Sequence, residues 1–564
     1  MNKNYPIYKT TFIDDMRSLV EEAAQNFSDS TAISYKENYW DKEVKKVTFN
    51  QWRDDVRNLG TALISKGLRE ETIAIVGENT YGWCCSFFGV MAIGSVTVPV
   101  DKELPIEDIN GIVTTTGCKA LIFGKTAESK VKELLDNDEL KTVELLVSIA
   151  PESSLDAACL GGRKLVSLAQ LQEKGAELYR NGDNSYYDYK IDVNKLASIV
   201  FTSGTTGKGK GVMLSQKAVL EDMTNIIPYI DFGNKTVGVL PPHHTYGSSV
   251  MLVGHAIIGC EVFISGGLRY ITKELTEQKP EHLVLVPLYL ETFYRKIWAN
   301  IKNQGKEKLI KNMIKLSNGM CKVGIDLRKK IFSQVRAAFG GEVKMIISGG
   351  APINPEILDF FRAMGITTLN GYGITECAPI VAANVSRNVV PGSIGNAIDC
   401  DEIKILDPNE DGEGEILVKG PNVMLGYYND PEATAEAFTE DGFFRTGDYG
   451  KMDGDVLYIT GRKKNIIVLN NGKNVYPEEI ETDIQGVYGV NEVAVYAGES
   501  VSDPTKEVIV AQIYKCAVYT AHRYCIQNLI RGKHNFSVSF FVFFNIPHPP
   551  YFRHEFCKKI KNFY

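Results

Sequence analysis

The chain has 564 residues, 44% of them hydrophobic, the ordinary balance of a globular protein. At roughly 100–200 residues per domain, its length calls for several domains. Its formal net charge of −7, with acidic and basic residues interspersed, argues against a nucleic-acid protein with a basic stripe. Eleven cysteines without a CxxC pair argue against a secreted disulfide scaffold and read as reduced thiols.

The opening MNKNYPIYKTTF has no apolar signal core, and no apolar run reaches transmembrane length. A cytoplasmic protein with no transmembrane segment is expected, with peripheral contact at a membrane left open. The first predicted helix covers Phe12 to Ala24, followed by a strand near Ala32 and Ile33 and an amphipathic helix over 52–67. ETIAIV at 71–76 reads as a strand broken by Gly77 and Asn79. TYGWCCSFFGVMAIGSVTVPV then gives a helix and another strand, and further strands fall at 119–124 and 143–149. This alternation predicts α/β layering. The polar, Gly/Ser-rich stretch 150–190 reads as surface elaboration.

LASIVF, 196–201, is a buried-strand run entering a glycine-rich loop. Two strand candidates flank PPHHTYG between Thr236 and Phe263, and HLVLVP adds one at 282–287. A charged amphipathic helix is predicted over 323–339, a strand over 343–350 and a helix from Pro355 to Ala363. DEIKIL and GEILVKG, within 401–420, suggest a small antiparallel unit after the α/β body. A boundary near Gly461 divides a domain over 1–461 from one over 462–564. The second contains a helix opening at Pro477 with Glu478 and Glu479 in its first turn, and the strands NEVAVYAGES and KEVIVAQIY. Beyond about 515 the composition is atypical: 12 of the last 50 residues are aromatic, and SVSFFVFFNIPHPP has no clear helical period.

The sharpest local signal is TSGTTGKGKG, 202–211. Its glycines permit turns that expose successive amide N–H groups, its Thr and Ser hydroxyls donate further bonds, and Lys208 and Lys210 offset charge, so it suits a polyphosphate. It is not a Walker A loop, because Gly211 stands where Ser or Thr would bind magnesium. A mobile surface loop is the plain alternative.

With this loop, the chain resembles the AMP-forming acyl-CoA synthetase family of adenylate-forming enzymes, over about residues 50–515. FTSGTTGKGKGVMLSQ is similar to its phosphate loop, NGYGITECAPI (370–380) to its adenine and magnesium motif, and RTGDYG (445–450) to its ribose motif. GRKKNIIVLNNGKNVYPEEIE (461–481) is similar to its hinge and thioesterification segment. The variants at 370–380 and 461–481, with LPPHHTYG at 240–247, look most like the long-chain fatty-acid–CoA ligase branch.

The resemblance implies a large α/β N-terminal domain with layered sheets and a small mobile α+β C-terminal domain. It implies ATP-dependent activation of a medium- to long-chain fatty acid to acyl-AMP, with pyrophosphate release and transfer to coenzyme A. Transfer to the phosphopantetheine thiol of an acyl carrier protein is an alternative, as is a nucleotide-binding protein with impaired catalysis. ATP, Mg²⁺ and coenzyme A are the implied cofactors.

By the same resemblance Thr202, Ser203, Gly204, Thr205, Thr206, Gly207 and Lys210 surround the β- and γ-phosphates. Thr375 touches the α-phosphate and Glu376 ligates the metal; by themselves the two also read as a helix-cap pair. Gly371 and Gly373 flank Tyr372, whose ring offers a face for adenine. Gly349, Gly350 and Ala351 lie near adenine and the acyl pocket, though a small-residue turn explains them nearly as well. Asp448 is the ribose candidate or a turn aspartate, with Arg462 assisting. His244 stands by the substrate carboxylate, Lys464 at the hinge, and Gly472 and Lys473 toward the thiol. The catalytic lysine is placed at Lys559, with Lys558 the neighbouring alternative and an ordinary basic C-terminus the plain one, although Asn562 replaces the expected arginine and the preceding threonines are missing.

Overall fold

The computed structural model describes residues 7, 12–155, 159–202, 209–468, 474–485, 492–499, 507–514 and 538–543. The strands Thr72–Val76, Val96–Val100, Ala120–Phe123 and Leu145–Ser148 run parallel, linked through the helices Tyr81–Met91, Ile106–Thr115 and Glu128–Asp136. Strand side chains alternate between two faces. Ile73 and Ile75 accordingly enter one core with Trp83 and Phe88, while Ala74 and Val76 enter another with Ile109 and Val131. Burial on both faces explains why these strands read as unbroken apolar runs. Leu196–Thr202 extends the sheet in parallel, and Lys210–Ser215 and Gly426–Tyr427 close that end antiparallel, giving seven of the sheet's eight strands.

Residues 150–190 are not mere surface elaboration. Lys164–Ser167 forms the opposite edge of this sheet, and the helix Leu168–Arg180 lies along Phe49–Ser65. The two helices approach so closely that a Cβ on Gly175 would stand 1.7 Å from the Asn58 carbonyl oxygen. Only Leu168, Leu171 and Gly175 of that helix are buried, a stripe too narrow to register against its polar background. Helix starts also shift. Thr48 and Gln51 form a capping box that begins the second helix at Phe49 rather than 52. Asp15 caps the first at Met16, leaving Phe12 outside it and exposed.

A second sheet has nine strands. His282–Leu285, Met345–Ser348 and Thr367–Gly373 are parallel; Ile380–Ala383, Gly395–Ala397, Val456–Arg462, Phe444–Asp453, Gly414–Lys419 and Glu402–Leu406 continue it antiparallel. The antiparallel unit expected within 401–420 is thus the far edge of a sheet that begins parallel. The single helix expected over 323–339 is absent. Short helices occupy Arg328–Ile331 and Ser333–Ala337, while the long ones, Pro287–Asn303 and Glu307–Lys322, precede it. Gly324 at φ 83° separates them, a conformation natural to glycine.

The boundary read near Gly461 falls at the end of the strand Val456–Arg462. Beyond it, the helix Pro477–Gln485 contributes Ile480 and Ile484 to a separate core with Val495, Ile509 and Ile513. The expected strands occur as Glu492–Glu499 and Glu507–Tyr514, antiparallel. The aromatic run that showed no helical period supplies a third, Val538–Phe543, parallel to the second.

Buried in the N-terminal body, His255 and His282 form a proton-ordered chain. The Gly233 N–H donates to His282 Nδ1 at 3.2 Å, which puts the His282 proton on Nε2, 2.8 Å from His255 Nε2. His255 Nδ1–H then donates to the Val250 carbonyl at 2.9 Å. Cys260 completes a group of ligand-type atoms within 4.8 Å of one another, but the hydrogen-bond order already uses both facing nitrogens. Burial pushes His255 down to about 4, and burial with the neighbouring ring pushes His282 well down. Unfolded histidines take up protons below about 6.5. Between there and about 4 the unfolded chain therefore binds more protons, and this pair's stabilisation is lost as pH falls. Urea unfolding from pH 7 to pH 5 is expected to show a smaller acid loss for His255→Gln than for the wild type; equal slopes would remove the pair as the cause.

Candidate active site

The strand Thr367–Gly373 and the turn Thr375–Cys377 touch three groups of side chains at the strand ends. The turn is shaped by backbone contact. The Ile374 N–H donates to the Pro379 carbonyl at 2.8 Å, and a Cβ on Gly373 would stand 2.2 Å from that oxygen, so only glycine fits. Thr375 and Glu376 are left half-buried while Cys377 enters the core.

The first group joins this turn to the glycine-rich loop. Lys210 opens the strand Lys210–Ser215, opposite Thr202. Its Nζ lies 4.5 Å from the centre of the Tyr427 ring, and the Tyr427 hydroxyl donates to Glu376 Oε1 at 3.0 Å. Pairing of Gly426–Tyr427 with Val212 and Met213 brings the tyrosine there, and the Met424 N–H donates to the Glu376 carbonyl at 2.8 Å. Burial and the Glu376 charge push the Tyr427 hydroxyl up, which keeps it a donor. Sequence reasoning missed Tyr427. Its GYYND context reads as a turn, and its partners lie far away in sequence. Thr202 sits at the end of its strand; Ser203, Gly204, Thr205, Thr206 and Gly207 lie outside the described residues.

The second group surrounds Asp448, which is buried. The Tyr372 hydroxyl donates to its Oδ2 at 2.6 Å, and Arg462 Nε lies 3.0 Å from its Oδ1. Cross-strand register places Asp448 opposite Arg462. Burial raises the Asp448 carboxyl, while Arg462 and Tyr372 pull it back. The Tyr372 ring is only 9% exposed, so its hydroxyl is its main link to this group.

The third group borders the parallel strands. A Cβ on Gly349 would meet the Tyr246 hydroxyl at 3.2 Å and the Gly371 carbonyl at 3.4 Å, and Gly350 adopts φ 82°. Ala351 is exposed beside them, and the Ser348 hydroxyl is buried without a partner among the described residues. His244 begins the turn into Tyr246, its ring 4.3 Å from that of His243. Burial and His244 push His243 down to about 4, so it is neutral near pH 7. Lys464 is exposed just after Arg462, whereas Gly472, Lys473 and Lys559 lie outside the described residues.

Behind the turn is a buried polar cluster that the sequence did not announce. The Ile380 N–H donates to both Asp222 carboxyl oxygens at 3.2 Å. Asn422 Nδ2 lies 3.3 Å from Asp222 Oδ1, 3.1 Å from the Cys377 carbonyl, 3.0 Å from the Ile380 carbonyl and 3.1 Å from Asp401 Oδ2. Burial pushes Asp222 well up and Asp401 up to about 7.

A family model for AMP-binding enzymes matches residues 20–428. The chain is 29% identical over 531 residues to a chloroplastic long-chain-fatty-acid–[acyl-carrier-protein] ligase of Arabidopsis thaliana, covering 81% of this chain and 71% of that one. It is also 29% identical to long-chain-fatty-acid–CoA ligase 1 of Cavia porcellus, covering 83% and 70%. Among solved structures, the adenylation domain of a carboxylate reductase from Mycobacterium chelonae superposes with a TM-score of 0.76 at 20% identity, over 98% of this chain and 91% of that one. ATP-bound MatB from Rhodopseudomonas palustris superposes with a TM-score of 0.71 at 20% identity, over 98% and 100%. Among the described residues, no helix is long and apolar enough to cross a membrane.

Proposed function

The chain belongs to the AMP-binding enzyme family, and from that premise we propose that it is an ATP-dependent ligase that activates a medium- to long-chain fatty acid as acyl-AMP and transfers the acyl group to coenzyme A. The observation that carries this reading is the convergence of Lys210, from the glycine-rich loop, and Glu376, from the 375–377 turn, on Tyr427. A cation and a carboxylate held apart by one aromatic ring form a frame for a triphosphate and its counter-ion.

A carboxylate is a poor acyl donor because its charge is delocalised and its oxygen leaves badly. Attack of that oxygen on the α-phosphorus of ATP forms the acyl-phosphate bond and breaks the bond to pyrophosphate. A thiol then attacks the acyl carbon and AMP leaves. The first step brings negative groups together, so it depends on oriented donors and positive charge. Thr202, Ser203, Gly204, Thr205, Thr206, Gly207 and Lys210 hold the β- and γ-phosphates in this reading, and Thr375 and Lys559 address the α-phosphate.

The residues suit Mg²⁺, which takes one or two carboxylates together with phosphate oxygens. Glu376 is half-buried and its Oε2 makes no hydrogen bond among the described residues. Bound there, the ion would neutralise phosphate charge. Asp448 accepts from the ribose hydroxyls, oriented by Tyr372 and Arg462. Gly349, Gly350 and Ala351 border adenine together with Gly371 and Gly373, and His244 faces the fatty carboxylate. For the second step Lys464 serves as hinge, and Gly472 and Lys473 approach the thiol.

Acid-dependent ATP/pyrophosphate exchange across a panel of acids tests this reading. Exchange is expected with acids from octanoic to stearic and not with aryl or amino acids; failure with every fatty acid overturns the substrate assignment. The Arabidopsis relative's name favours a second acceptor, an acyl carrier protein. Thioester formation with coenzyme A and with a phosphopantetheinylated carrier, run side by side, separates the two.

A further inference from the structure

Between 295 and 330 the chain carries eleven lysines and arginines against two acidic residues, although its overall charge is −7. This stretch spans the end of Pro287–Asn303, all of Glu307–Lys322 and the loop into Arg328–Ile331. Ser317 is the only buried side chain of Glu307–Lys322. At roughly 100° per residue, Leu309, Leu316 and Val323 fall on one edge of that helix, with Lys308, Lys311, Lys315 and Lys322 on the neighbouring face. Leu316 is 64% exposed and Val323 73%, and Ile325 and Leu327 are also exposed in the loop that follows. Among the described residues, five of the eleven exposed large hydrophobic side chains thus fall within 309–327. Lys308, Lys315, Lys322, Lys329 and Lys330 make no ion pair among the described residues.

We propose that this helical hairpin docks the protein on an anionic phospholipid surface. Exposed aliphatic side chains enter the acyl boundary while neighbouring lysines meet lipid phosphates, the arrangement of an interfacial amphipathic helix. Two alternatives fit less well. A second copy would bring the same positive face against itself, and a nucleic acid offers nothing to aliphatic side chains at an exposed edge. The position also suits the chemistry. The hairpin springs from Val286, whose Cγ1 would lie 3.6 Å from a Cβ on Gly350, so it is rooted beside the candidate site. Its use, though not its geometry, rests on the fatty-acid reading above.

The test is flotation of the full chain with vesicles, without substrate. Binding is expected to phosphatidylcholine mixed with phosphatidylglycerol, to weaken as salt rises, and to be lost on phosphatidylcholine alone. Leu316→Glu combined with Val323→Glu, and separately Lys308→Glu combined with Lys315→Glu, are expected to lower partitioning more than about tenfold. Their melting temperature and pyrophosphate exchange with water-soluble octanoate should stay at the wild-type level. No wild-type binding to anionic vesicles, or undiminished binding by both variants, overturns the docking surface. So does a wild-type dimer or a nucleic-acid complex that the same variants abolish. Should a variant fold poorly, the salt and lipid-charge dependence of the wild type still decides. If exchange fails with every fatty acid while flotation succeeds, it is the function that falls and not the surface.

Discussion

Replacing Glu376 with glutamine is expected to lower acid-dependent ATP/pyrophosphate exchange by about 10²- to 10³-fold, with little change in stability. The amide keeps an oxygen for the Tyr427 hydroxyl, so the 3.0 Å contact and the position of Lys210 over the ring can persist. Only the charge is removed, and that charge is what a hard cation requires. The rate should fall at saturating ATP and acid, and the magnesium concentration for half-maximal exchange should rise. Tyr427→Phe makes the complementary change. It keeps the ring under Lys210 and removes the hydrogen bond that aims the carboxylate, with a smaller expected loss of about tenfold. Exchange by Glu376→Gln at the wild-type rate and magnesium dependence would remove this carboxylate from the first half-reaction.

Asn422→Leu is expected to destabilise the fold by on the order of 3 kcal/mol, and to reduce exchange in whatever protein remains folded. One side-chain amide offers two N–H groups to two carbonyls and two carboxyls, and its own oxygen is buried without a partner among the described residues. Leucine has similar bulk but no donor, so those acceptors stay buried with fewer partners. The loss reaches the site because Cys377 and Ile380 flank the turn that presents Thr375 and Glu376, and Asp222 holds the Ile380 N–H. Urea unfolding gives the stability change, and exchange per folded molecule gives the functional one. A variant as stable as the wild type would mean that this cluster is not what holds the turn.

The chemistry of the candidate site was largely legible in the chain. A loop of glycines, hydroxyls and lysines suits phosphate whatever surrounds it, because backbone freedom and side-chain donors are local properties. The parallel strands at 71–76 and 119–124 were legible for a similar reason: burial on both faces leaves an unbroken apolar run. The helix at 168–180 was hidden because its buried stripe is narrow, and the break at Gly324 was hidden because charged, amphipathic residues continue on both sides of it.

By itself, then, the sequence determined the kind of groups available: a phosphate-suited loop, a Thr–Glu turn, an aspartate in TGDYG and the α/β layering that carries them. Tertiary structure alone decided which of these groups meet. Strand pairing brings Tyr427 beside Val212, between Lys210 and Glu376, and cross-strand register sets Arg462 against Asp448 while Tyr372 reaches it from another strand. The same holds for Asn422 and Asp222, neither of which stands in a recognisable motif. The physical reason is that propensity and burial pattern act over a few neighbouring residues, whereas a hydrogen bond across the chain exists only after sheet register and core packing have chosen its partners.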